Sequence, residues 1–334
     1  MNESITQALR LGLGAAVLIH GVASAASGET GARALVEGMG AAVERLTYEG
    51  VLVVGRDGAM ETLHVAHTHD DVHGPREHLM ALTGVPREVF RSRDAVTCLA
   101  PRGVNHCLRP GDAMLGLPGV LPLHQESDEQ EASYRFLLDG TDRVAGLPCH
   151  QVRIQPLDQL RYGYDLCIHE KTNLPLRGAL LDGEGKVLEQ FLFTRIAFPE
   201  SLPGERFEPP EEDGRSVQRL SAVTPKTPSG EGQDWHLDTL PPGFRLQAAG
   251  LRRMDVSPEP VHHLMLSDGL ATVSVFIAPA EGPESEQVRL LRSGPLHAAS
   301  LTRDGRQVTV LGEVPGETVQ RIARALRFSQ EESP

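Results

Sequence analysis

The chain is poor in aromatic residues, at 4% of 334 with a single tryptophan, so a stacking platform for bases or sugars is not expected. It has no excess of basic residues: 32 Lys and Arg stand against 45 Asp and Glu, a formal net charge of −13. Nucleic-acid affinity rests on cations that neutralise phosphates, so this balance argues for no nucleic-acid partner. Catalytic signatures are missing too. No GxSxG elbow, HExxH pair or P-loop occurs, and no carboxylate pair stands apart from the acidic surface. Ser267-Asp268-Gly269 reads as a turn between strands rather than a reactive serine. The chain is therefore read as a non-enzyme, with no cofactor. No apolar run reaches the roughly 20 residues that a membrane-spanning helix needs.

The short apolar run that is present lies near the N-terminus. Arg10 precedes Leu11–Ile19, and Ala23-Ser24-Ala25 follows. Basic, then apolar, then small residues at alternate positions is the order of a secretory leader, expected over residues 1–25. A location outside the cytoplasm follows. Four cysteines agree with an oxidising compartment. They allow three pairings. A two-residue turn at Arg102-Gly103 would set Cys98 opposite Cys107, and Cys149 and Cys167 lie in two strand-like runs, so turn register favours 98–107 and 149–167.

The 34 glycines and 24 prolines exceed average usage and predict many turns. Ala32, Leu35, Val36, Met39, Val43 and Leu46 recur at helical spacing, so a helix is expected over 30–46. From Tyr48 the period changes to two. Strand-like runs follow at 48–54, 61–67, 78–82, 88–91, 95–99, 104–108, 134–139, 150–155, 162–169, 174–181 and 187–196, punctuated by turns such as Asp182-Gly183-Glu184-Gly185. One helix and a long antiparallel series predict an open β-barrel over residues 26–198. Residues 199–233 are Pro-rich and acidic, and read as a linker. A smaller α+β domain is expected over 234–334, with strands at 262–266, 270–277, 299–302 and 307–311 and a last helix over 317–326.

An open barrel leaves a concave face that is either filled by its own side chains or free to hold an apolar ligand. Val51, Val53, Leu63 and Val65 are the inward candidates. Met114, Leu115, Leu117, Val120, Leu121 and Leu123 form an apolar interruption of the strand series, either an ordered loop over one end of the sheet or a lid over a cavity. His67 and His69 share a strand face and, with His73, are the residues available to ligate a metal; a solvated histidine-rich hairpin accounts for the same spacing.

Several stretches then occur in one order: Met60-Glu61-Thr62-Leu63, Pro86-Arg87-Glu88-Val89, Tyr134-Arg135-Phe136, Arg161-Tyr162-Gly163-Tyr164 and Leu180-Leu181-Asp182-Gly183-Glu184-Gly185. Leu240-Pro241-Pro242-Gly243-Phe244, Ser267-Asp268-Gly269-Leu270 and Val308-Thr309-Val310-Leu311-Gly312 continue the order. Together they resemble the RseB/MucB family of periplasmic regulators of the envelope-stress sigma factor, over about residues 30–328. The resemblance implies an N-terminal domain similar to the lipoprotein carriers LolA and LolB, and a smaller α+β domain. It implies a protein that holds the periplasmic part of a single-span anti-sigma factor, of the RseA/MucA kind, and shields it from regulated proteolysis. Lipopolysaccharide or its lipid A part would release it. Histidines stand over residues 64–78 where the family often has Arg, so Arg56, Arg76, Arg87, Arg91, Arg93 and Arg102 would supply any lipid-headgroup contact here. A homodimer or higher oligomer fits this reading. The rival is a lipid or lipoprotein carrier acting alone, which has little use for residues 235–328.

Overall fold

Two antiparallel sheets hold most of the regular structure in the computed structural model, which describes residues 20–56, 58–93, 95–104, 133–210, 214–221, 234–252, 259–280 and 282–328. Helix α1 (His20–Arg45) leads into strands β1 (Tyr48–Arg56), β2 (Ala59–Asp70), β3 (Gly74–Ala81), β4 (Glu88–Arg91) and β5 (Ala95–Ala100). Five more follow: β6 (Tyr134–Val144), β7 (Leu147–Pro156), β8 (Gly163–His169), β9 (Pro175–Leu181) and β10 (Val187–Ala197). With β11 (Ser216–Ser221) they form one eleven-stranded sheet in the order β11-β5-β4-β3-β2-β1-β10-β9-β8-β7-β6. Its outer strands β11 and β6 do not pair, so the sheet stays open, as expected.

Alternation decides which face is buried. Along β1, Tyr48 and Leu52 are buried and point to the face that carries α1. Ala32, Val36 and Met39 of α1 pack there with Tyr134, Phe136 and Ile154. Leu63, Val65, Leu79, Phe191 and Phe193 fill the other half of the same face. Gly178 stands directly opposite Phe191, whose ring lies where a Cβ on residue 178 would be. An aromatic ring over a cross-strand glycine is one way a strongly curved sheet keeps its core filled.

The chain leaves β10 beside β1, yet β11 pairs with β5 at the far edge. The segment between passes over the face opposite α1. Arg206 meets Glu49 at 2.8 Å, and Phe207, in the single-turn helix Gly204–Phe207, is buried beneath the Arg76 guanidinium at 5.4 Å. The expected linker over 199–233 is thus corrected for residues 204–207 and 216–221. Polar and proline content hid a strap and an edge strand, which bury little of themselves. The leader expected over 1–25 lies outside the described residues up to residue 19, and residues 20–25 are the first turns of α1.

The second sheet contains β13 (Arg245–Arg252), β14 (Val261–Ser267), β15 (Thr272–Pro279), β16 (Ser285–Ser293), β17 (Leu296–Arg303) and β18 (Arg306–Gly312), in the order β13-β14-β15-β18-β17-β16. Helix α2 (Gly316–Ala325) covers one face through Val319, Ile322 and Ala323. A short ladder of β12 (Trp235–Leu237) with β19 (Leu326–Phe328) completes this unit. Asp304 and Gly305 both take positive φ, at 51° and 68°, as a two-residue turn between twisted strands requires.

Candidate functional site

The structure divides the residues that the sequence suggested for an apolar cavity. Leu63 and Val65 lie on the α1 face with Leu52 and Leu79, within the filled core. Val51 and Val53 stand opposite His64 and Thr62, on the other face. This corrects the expectation that all four line one concavity: side chains alternate along a strand, and odd positions of β1 share a face with even positions of β2. The apolar stretch with Met114, Leu115, Leu117, Val120, Leu121 and Leu123 lies outside the described residues.

The arginines are not brought together either. Arg56 meets Glu189 at 2.5 Å and Glu313 of the second unit at 3.4 Å. Arg87 pairs with Glu61 at 3.0 Å, and Arg91 with the buried Glu77 at 2.8 Å. Arg76 pairs with Asp70 at 2.7 Å on the opposite face. Arg102 donates from Nε to the Gly214 carbonyl at 2.6 Å, and Arg93 lies against Gly74. Each of the first four thus already faces a carboxylate of its own chain, and a lipid phosphate would have to compete for it.

His67 and His69 share the α1 face, but His67 is buried, stacks on Tyr48 at 5.1 Å and places Nδ1 2.7 Å from the Leu46 carbonyl. His73 is held by Asp70 at 2.9 Å in an exposed turn. Among the described residues, no three His, Cys, Asp or Glu side chains converge as metal ligands. Cys149 and Cys167 form a disulfide between β7 and β8, with Cα atoms 5.4 Å apart. Cys98 is disulfide-bonded, and Cys107 lies outside the described residues.

Burial holds several histidines neutral. Desolvation lowers the pKa of His67 and of His169, which stacks on Phe198. It lowers that of His263, against Phe276, to about 4. A histidine with a depressed folded pKa adds stability above its unfolded value of about 6.5, and that stability is lost as pH falls toward the folded value. Urea unfolding midpoints should therefore fall steadily between pH 6.5 and about 4, and a His263→Gln variant should show a shallower decline. A midpoint flat across that window would contradict the neutral, buried assignment.

A dense polar constellation lies where the two sheet units meet, and the sequence did not single it out as a site. Arg161, 1% exposed, donates from Nε to Asp268 Oδ2 at 2.8 Å, from Nη1 to Asp158 at 2.7 Å and from Nη2 to the Pro242 carbonyl at 2.5 Å. Its guanidinium lies 5.4 Å from the ring centroids of both Tyr134 and Phe244. Tyr134 donates its hydroxyl to Asp268 Oδ2 at 2.9 Å; burial and then the Asp268 charge hold that phenol protonated. Asp268 Oδ1 accepts from the Leu270 and Ala271 amides at 3.0 and 2.7 Å. Thr318, in the first turn of α2, donates to the Leu160 carbonyl at 2.6 Å. His297 Nδ1 donates to the Val314 carbonyl at 2.8 Å beside the Tyr162 hydroxyl. Leu270 packs into the core of the first unit. A buried ion pair, with its hydrogen bonds satisfied from both sides, thus lies at the contact between the units.

An open sheet bearing a helix, clamped through a buried ion pair to a smaller sheet-and-helix unit, defines a two-part β-rich scaffold. Two family models cover it: the MucB/RseB N-terminal domain matches residues 31–211 and the MucB/RseB C-terminal domain residues 229–327. The chain belongs to the MucB/RseB family. It is 36% identical over 258 residues to the sigma factor AlgU regulatory protein MucB of Pseudomonas aeruginosa, covering 75% of this chain and 77% of that protein. It is 30% identical over 262 residues to the sigma-E factor regulatory protein RseB of Salmonella typhimurium, covering 76% and 77%. Its structure matches MucB in the Pseudomonas aeruginosa MucA/MucB complex with a TM-score of 0.67 at 29% identity, over 90% of this chain and 99% of that one. The match to a crystal structure of MucB has a TM-score of 0.60 at 28% identity, over the same shares.

Proposed function

We propose that this protein is a non-catalytic periplasmic regulator that binds the periplasmic segment of a membrane anti-sigma factor and shields it from regulated proteolysis. The observation that carries the reading is the extent of the match. Both units, and not the open sheet alone, correspond to a MucB chain that was solved bound to MucA. A lone lipid carrier would not need the second unit or the buried junction that orients it. The leader expected over residues 1–25 and the Cys149–Cys167 disulfide fit an oxidising, extracytoplasmic setting.

Release is proposed to follow from linkage. A lipid that prefers the unbound regulator weakens partner binding by the same factor by which the partner weakens lipid binding. A hundredfold release requires about 2.7 kcal/mol of differential affinity. The test is capture of residues 26–334 by the periplasmic fragment of the cognate anti-sigma factor, with and without lipid A. The expected result is capture that lipid A reverses, and reversal that is weakened in a Leu117→Ser, Leu121→Ser variant that still binds the partner. Retention of lipid with no partner capture would establish a carrier instead.

A further inference from the structure

The outer strands of the two sheets are guarded to different degrees. β6 is broken by a bulge between Leu138 and Gly140 and carries Asp139 and Asp142. β11 is short, at six residues. β13 is broken between Leu246 and Ala248. β16 is different. From Arg289 to Ser293 it pairs without interruption with residues 296–300 of β17, and its other edge has no neighbour among the described residues. At the centre of that regular stretch Leu290 and Leu291 are 43% and 73% exposed. A regular edge with exposed apolar side chains is a template for another strand, and folds usually blunt it.

The charges around this edge say what kind of strand it suits. Arg289 and Arg292 flank the two leucines, and no acid occurs from Gln287 to Ser293. Arg292 donates from Nε to the Gly294 carbonyl at 3.0 Å, and neither arginine is paired with a carboxylate among the described residues. Glu286 is held by Arg303 at 2.5 Å, which removes it from this stretch. On a chain of net charge −13, β16 is a cationic stripe. A second copy paired antiparallel about the Leu290–Leu291 step would set Arg289 against Arg292 twice, and like charges directly opposite are unfavourable.

We propose that the free edge of β16 docks an extended acidic segment of the anti-sigma partner as a seventh strand of the sheet. The proposal rests on the function proposed above and assigns that partner a place. Main-chain groups of alternate residues on β16 supply the hydrogen bonds, and side chains supply selectivity. Register sets the pattern the partner needs. Leu291 and Arg289 face away from α2, opposite Ala298 and Ser300, whereas Leu290 and Arg292 lie on the α2 side, opposite Ala299 and His297. Each face of the incoming strand therefore meets one leucine and one arginine. The complement is acid, apolar, apolar, acid in four consecutive residues.

Calorimetry with the periplasmic fragment of the anti-sigma factor tests this on the full mature chain. An Arg289→Glu, Arg292→Glu variant should bind about tenfold more weakly, with its thermal midpoint unchanged, because both substitutions are exposed and each reverses a complementary charge. The loss should shrink as salt is raised. Leu291→Asp should weaken binding in the same direction. Unaltered affinity in these variants, with the parent protein binding normally, overturns the docking strand and leaves the proposed function standing. A dimer that the charge reversal abolishes or tightens, with peptide affinity unchanged, assigns the edge to self-association and also overturns it. A parent protein that binds no fragment removes both proposals.

Discussion

Asp268→Ala is expected to lower the unfolding free energy by about 3–5 kcal/mol, measured by urea denaturation. Its carboxylate accepts from Arg161, from Tyr134 and from two backbone amides, and none of those donors has water to turn to. Removing the acid leaves a guanidinium that is 1% exposed with only the partly exposed Asp158 as a counter-charge. Breaking one partner of a buried pair costs far more than replacing both, so Arg161→Met combined with Asp268→Leu should recover part of the loss. Asp268→Asn keeps a side-chain acceptor for the turn amides but loses the charge, and should fall between. An Asp268→Ala variant with parental stability would mean that the junction does not hold the two units together. Partner capture by the double variant, compared with its stability, separates a pair that merely stabilises from one that sets the mutual orientation on which binding depends.

Phe191→Ala should cost about 3–5 kcal/mol in the same measurement, because it empties a ring-sized volume at the centre of the larger sheet. Phe191 is fully buried, meets Phe193 edge-on at 6.4 Å and covers Gly178 on the neighbouring strand. The cavity cannot close by a side-chain shift from Gly178, which has none to move. Gly178→Val in the parent should also destabilise, since its branched carbons enter the space the ring occupies. Combining Phe191→Leu with Gly178→Ala should be milder than the sum of its parts, the mark of two residues sharing one volume. Strict additivity would contradict that.

The sequence made legible those parts of the fold in which alternation and turn chemistry coincide. Glu88–Arg91 was expected as a strand with its observed limits, and β17 and β18 contain the strands expected at 299–302 and 307–311. β11, β12, β13, β16 and β19 were not legible. Their side chains are largely exposed, polar or few, so burial leaves no period in the residues. The face of a residue was harder to read than its strand. Val51 and Leu63 are both apolar, and only the pairing of Leu52 with Leu63 decides which one points inward. The junction was legible in pieces. Arg161-Tyr162-Gly163-Tyr164, Pro241-Pro242-Gly243-Phe244 and Ser267-Asp268-Gly269 were each noted for resemblance, but nothing local states that an arginine in one reaches an aspartate in another. Gly243, at φ 81°, approaches Ser133 and Arg161 so closely that a Cβ would collide, a constraint that appears only once the two units are in contact.

The position of β10 beside β1 also dictates an order of events. Glu49 pairs with Ala197, so the central ladder of the large sheet joins the first strand made to the tenth. Until residues 187–197 are present to pair, β1 has one edge unsatisfied. Pairings this remote in sequence are slow to form even from the complete chain, because loop-closure entropy is lost before any contact compensates for it. Until then β1 to β5 can form a meander, but not the sheet that buries Leu52 and Tyr48 against Phe193. The chain is thus open to misassembly until that ladder closes, when the unpaired edge of β1 no longer invites a wrong strand.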